Sequence, residues 1–226
     1  MMLNWQNTAW ELKEQPPQVA ILPLACLEPH GLHLPAGTDQ FVVSEISIRV
    51  AAELSIPAFL LPTWPFGTSI KEAGKAGAIS LGFETLWAVV RDIVLSLYEH
   101  NIRYVVVINN HGSPAASTAM PVGNSIVKTA VRQLNYETPG LSAIWVQPFA
   151  AAREALVAIF PTVGRDVGVV ESALLMHLVP AWMTKVMDDE RRDATAEKGL
   201  LALEAIVKAT VTYIENSFQR IAQMKK

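Results

Sequence analysis

The chain of 226 residues is 51% hydrophobic and 17% charged, with a formal net charge of −3. That balance suits a protein with a sizeable buried core and excludes a disordered polyelectrolyte. With no lysine or arginine run and no apolar stretch near the roughly 18–20 residues of a membrane span, neither a nucleic-acid nor a membrane partner is expected. The opening "MMLNWQNTAWELKEQPP" lacks the basic start, apolar centre and small-residue cleavage site of a secretory signal. A single cysteine, Cys26, excludes an intramolecular disulfide. Both features predict a cytoplasmic protein, with Cys26 a small buried hydrophobe at a strand end.

In chain order, four nearly continuous apolar runs alternate with helical periodicity. The runs are 19–27, 57–64, 103–110 and 141–147, and the intervening helical patterns are 41–54, 83–100 and 117–134. Two more helices are predicted near 166–179 and 195–223, the second long and amphipathic. Apolar strands alternating with helices argue for an α/β layered fold with a largely parallel sheet. With no repeat, low-complexity tract or linker, the expectation is one domain over 1–226.

Open α/β sheets place their sites beyond the carboxyl ends of the strands. Beyond the first predicted strand lies "EPHGLHLPAGTD", and beyond the third "NNHGSP". Glu28, His30, His33, Asp39 and His111 are therefore expected along one edge of the sheet. Glu28 and His30, two residues apart, share a side if the strand stays extended. Carboxylate and imidazole donors suit zinc or manganese, and a carboxylate between two cations can bridge them.

Other roles are available to each residue. Asp39 or Thr38 could cap the helix that follows, and His33 could be a core histidine satisfied by backbone. Glu171 lies among Val169, Val170, Ala173, Leu174 and Leu175, where a carboxylate needs a cation beside it. A metal, Arg165 or Arg153 could serve. His177 and His100 read as structural or exposed, and Trp64 and Trp145 as core. No G-x-G-x-x-G or P-loop is present, which argues against a nucleotide-binding domain.

"E-P-H-G-L-H-L-P-A-G-T-D" resembles the E-x-H-G-x-H-L-P-x-x-T-D signature of the creatininase (creatinine amidohydrolase) family. "NNHG" is similar to its N-G-H-G-G-N. "GTSIKEAGKAGAISL" (67–81) resembles its G-x-S-x-E-H-x-x-F-P-G-T-x-S-L, and "DVGVVESAL" (166–174) its H-A-G-E-x-E-T-S-L. The resemblance implies a creatininase-like fold of three layers, αβα, around a mainly parallel central sheet, with two divalent metal ions (zinc, manganese or iron) and hydrolysis of a C–N bond in a small cyclic amide or formamide. It implies that Glu28 and His111 hold one metal and His30 the other, with Asp39 bridging. The last ligand is either Glu171 or a group at Ser113. It also implies a homo-oligomer, commonly a hexamer in the family.

The chain departs from the pattern at the E-H pair, here Lys71-Glu72, and at F-P, here Lys75-Ala76. The histidine opening H-A-G-E is Asp166, and the glutamate closing it is Val169. Creatinine is therefore not the expected substrate. Asp166, Glu72 and His33 are the candidates for protonating the departing nitrogen. The alternative is a family member that keeps fold and metal but serves as a binding or assembly subunit.

Overall fold

The computed structural model describes residues 2–111, 122–161, 168–182 and 193–224. Five strands form one parallel sheet: β1 (Met2–Asn4), β2 (Val19–Leu24), β3 (Ala58–Leu60), β4 (Tyr104–Asn109) and β5 (Ser142–Val146), in the order β1-β3-β2-β4-β5. The sequence led to four strands. The fifth, β1, is a three-residue edge strand beside β3, too short to show a periodicity. The 57–64 run also pairs over less than its length: Ala58–Leu60 form the ladder, and Trp64 adds an isolated bridge to Leu24.

Helices cover both faces. α2 (Thr38–Glu53), α7 (Gly168–Leu178) and α8 (Ala196–Met224) pack on one, α3 (Phe83–Glu99) and α4 (Val122–Glu137) on the other. The strand pleat divides the core accordingly. Val19, Ile21, Val106 and Ile108 join the first layer, and Ala20, Leu22, Val105 and Val107 the second. All eight are essentially inaccessible, which is why these runs read as unbroken apolar segments. Three short helices completed the described fold without being predicted: α1 (Ala9–Glu14), α5 (Pro148–Ala151) and α6 (Arg153–Ile159). α1 starts with a Thr8–Glu11 capping box.

The helices α7 and α8 pack against each other at Gly199, where an added Cβ would lie 2.0 Å from the Ala173 carbonyl oxygen. Among the described residues no helix is long and apolar enough to cross a membrane.

The chain order of the sheet positions the site. From β2 the chain runs through α2 to β3 on one side, then through α3 across to β4 on the other. Neighbouring β2 and β4, paired from Val19–Tyr104 to Leu24–Asn109, thus send their outgoing loops apart. Such a switch point opens a crevice at the carboxyl edge.

Candidate metal centre

Beyond Leu24 the chain stays extended, held by the Leu24–Trp64 and Leu27–Ile79 bridges. It turns at Gly31, whose φ of 68° suits a residue without a Cβ. The Glu28 N–H donates to the Ala36 carbonyl at 3.2 Å, and the Thr38 hydroxyl to the Pro35 carbonyl at 2.7 Å. These bonds close the loop and deliver Asp39 to the first turn of α2. Gly37 is the N-cap and makes no side-chain cap. Asp39 is only 2% exposed and faces the crevice, so the capping role is not the one it plays. His111 follows β4, its N–H held by Asn109 Oδ1 at 3.1 Å.

The two imidazoles are arranged alike. His30 Nδ1 donates to the Glu28 carbonyl at 2.9 Å, which turns Nε2 toward Asp39 Oδ1 at 3.3 Å and Glu171 Oε1 at 4.0 Å. His111 Nε2 donates to the Thr68 carbonyl at 3.0 Å, which turns Nδ1 toward Asp39 Oδ2 at 3.2 Å and Glu28 Oε1 at 3.3 Å. Each ring therefore fixes its outer N–H on a backbone carbonyl and aims the other nitrogen between two carboxylates. Metal-ligating histidines are oriented in this way. Asp39 gives one oxygen to each ring, and Glu171 meets His30 as its cation, resolving the burial problem posed by its apolar helix.

The electrostatics say the same. Burial pushes the His30 ring down, but Glu171 and Asp39 outweigh it and raise its pKa to about 10. His111 is likewise opposed by burial and raised to about 11 by Asp39 and Glu28. Burial raises both carboxyls, yet His111 and Ser69 hold Glu28, and His111 with His30 hold Asp39, below the ordinary carboxylate value. A divalent cation bound between these nitrogens and carboxylates would take the place of the imidazole protons. Glu28, His30 and Asp39 offer donor atoms all within 4.8 Å of one another, as do Cys26, Glu28 and His111.

Five of the sequence-derived residues thus converge: Glu28, His30, Asp39, His111 and Glu171. His33 and Glu72 have partners of their own. His33 is 1% exposed, and its Nε2 meets Ser172 Oγ at 2.9 Å. Ser172 passes its own proton to the Gly168 carbonyl at 2.6 Å, so His33 is the donor and braces the start of α7 beside Glu171. Glu72, in a short 3-10 turn (Ile70–Glu72), pairs with Lys75 Nζ at 2.6 Å. Asp166, Ser113 and Arg165 fall outside the described residues. Val169 is fully buried in the core, so that position turns no polar group to the crevice.

Ser69 and Thr68 were not singled out from sequence. The Ser69 hydroxyl donates to Glu28 Oε2, and Ser80 Oγ accepts from the Ser69 N–H at 2.9 Å. Both serines occupy fixed positions of the 67–81 stretch, which is the signal that could have found them.

Fold and donors together define a doubly wound α/β protein with a candidate metal centre at its switch point. The creatininase (creatinine amidohydrolase) family profile matches residues 2–190, and the chain belongs to this family. Members of that family are metal-dependent hydrolases acting on amide C–N bonds.

The mycofactocin precursor peptide peptidase of Mycolicibacterium smegmatis is 26% identical over 178 residues, covering 77% of this chain and 63% of that protein. The chain thus spans under two thirds of that relative's length. Creatinine amidohydrolase of Pseudomonas putida is 30% identical over 98 residues, covering 41% of this chain and 37% of that protein. A solved manganese creatininase superposes with a TM-score of 0.77 at 20% identity, covering 96% of this chain and 99% of that one. A mutant creatininase of the Zn-Zn type gives 0.77 at 19%, with the same coverage. At these identities the structural likeness carries the fold.

Proposed function

We propose that this chain hydrolyses an amide C–N bond at a centre of two divalent cations. The observation that carries the reading is Asp39: a buried carboxylate whose two oxygens face two different imidazoles, each already oriented by a backbone carbonyl. Glu28 and His111 would hold one ion, His30 and Glu171 the other, and Asp39 would span both. Three carboxylates and two neutral imidazoles carry three negative charges, which do not overbalance two dications. When bound, such ions polarise a carbonyl and bring the pKa of water toward neutrality.

The chain's own groups do the rest. Asp39 and Glu28 accept a proton or a cation at fixed oxygens, the Ser69 hydroxyl holds Glu28 in place, and the Thr68 carbonyl holds His111. The departing nitrogen needs a proton donor; Asp166 is proposed for it, because Glu72 pairs with Lys75 and His33 is buried against Ser172. The substrate is an amide of a small molecule, cyclic or formyl, or of a short peptide. Two mycobacterial relatives, 26% and 28% identical, are peptide peptidases by name, which motivates including peptides. Cytoplasmic residence and a homo-oligomer belong to the same reading.

Protein purified without chelator should contain about two equivalents of divalent metal. Unchanged metal content in Asp39→Ala refutes the site. A panel of lactams, formamides and short peptides should show amine release that stops with chelator and returns with metal. Among Asp166→Asn, Glu72→Gln and His33→Gln, the acid is the one whose loss lowers kcat while metal is retained.

A second reading is a metal-holding binding or assembly subunit. Val169, in the core where the resemblance has a glutamate, favours it. Full metal content with no turnover across the panel would select it.

A further inference from the structure

We infer that Cys26 is a sulfur ligand of this centre, forming with Glu28 and His111 a donor set that favours thiophilic cations over manganese. The inference rests on the metal-centre reading above and adds to it a donor that neither the sequence nor the family resemblance assigned.

Cys26, Glu28 and His30 alternate along the segment after β2, and Glu28 joins both the Cys26–His111 cluster and the His30–Asp39 cluster. The Cys26 sulfur and donor atoms of Glu28 and His111 lie within 4.8 Å of one another. With metal–sulfur and metal–oxygen bonds of about 2.3 and 2.1 Å at a tetrahedral angle, sulfur and oxygen stand about 3.6 Å apart, so the side chains need close by no more than about 1 Å.

Cys26 is 0% exposed, and burial with the Glu28 and Asp39 charges pushes its thiol pKa up in the metal-free protein, against His111 and a hydrogen bond from the Gly67 backbone. Gly67 packs so closely that an added Cβ would lie 2.8 Å from the Ala25 carbonyl and 3.4 Å from the Cys26 sulfur. An N–H donated to a thiolate and a fixed Cβ suit a metal ligand.

On binding, the S–H proton leaves to solvent and the sulfur lone pair forms the metal–sulfur bond, with no change of oxidation state. Soft sulfur selects zinc, cadmium or cobalt over manganese, which prefers oxygen donors.

Cys26 is the chain's single cysteine, so one spectrum decides the matter. Untagged protein, stripped by chelator and reloaded with cobalt(II), is expected to show the near-ultraviolet sulfur-to-cobalt charge-transfer band. Cys26→Ser should bind cobalt without that band. In competition with equal zinc and manganese, the zinc-to-manganese ratio bound should fall tenfold or more in this variant. Stoichiometric cobalt uptake by the wild-type chain without the band overturns the inference and leaves the metal centre standing. Failure to take up cobalt, zinc or manganese at all overturns both. The wild-type spectrum separates these outcomes even if Cys26→Ser does not fold.

Discussion

Loading the metal-free centre should expel protons in a number the geometry sets. In the metal-free protein His30 titrates near 10 and His111 near 11, so at pH 6.5 both rings are fully protonated. Glu28 and Asp39 are held below the usual carboxylate value and carry no proton at that pH. Ligation requires the free lone pair of each imidazole, so both protons must leave. A water whose pKa is lowered toward about 7 largely keeps its proton at pH 6.5.

The count is cleanest in Cys26→Ser, where no thiol contributes: about two protons per chain at full zinc loading. Titration calorimetry in buffers of different ionisation enthalpy measures this number directly. The apparent affinity for each ion should rise with pH by up to about tenfold per unit, since each site exchanges one imidazole proton. His30→Gln in the same background should release about one. Stoichiometric zinc uptake with less than one proton released would mean that the ion is held without the imidazoles, and the assignment would fail.

Three other outcomes follow from the same geometry. In chelator-treated protein, the folded-state pKa values of His30 and His111 lie above their unfolded values, so their stabilisation is complete below about pH 6.5. It is lost progressively as pH rises toward 10 and 11, and melting temperature should fall across that window in the metal-free protein. Ser69→Ala removes the hydroxyl that holds Glu28 and should weaken metal binding by about 10- to 100-fold without unfolding the chain, as equilibrium dialysis would show. Gly199→Ala forces a Cβ toward the Ala173 carbonyl and should cost about 1–3 kcal/mol, a drop of roughly 2–12 °C by calorimetry.

The central strands and the donors of the first loop were legible because both are local patterns. Val19–Leu24 and Tyr104–Asn109 are apolar on both faces, and Glu28, His30 and Asp39 sit within one turn of chain. The switch-point rule then placed His111 beside them. What escaped was set by contacts distant in sequence or by elements too short to have a period. β1 is three residues of edge strand, and α5 and α6 are single-turn to two-turn pieces. Ser69 reaches Glu28 across 41 residues, and His33 reaches Ser172 across 139; neither separation leaves a spacing to read. Thr68 acts through its carbonyl, which any residue would supply. Cys26 looked apolar because burial was inferable and its neighbours were not.

The span of the centre also orders events in time. Its groups come from the loop after β2, the first turn of α2, the end of β4 and the helix α7, which packs against both α2 and α8. A ribosome exposing Glu28, His30 and Asp39 has released three of the proposed donors and nothing that encloses them. Under the proposed metal centre, an ion captured at that stage would be held by one loop alone and would exchange freely. The composition of the finished centre would then be set by the metals present when the carboxyl-terminal third docks.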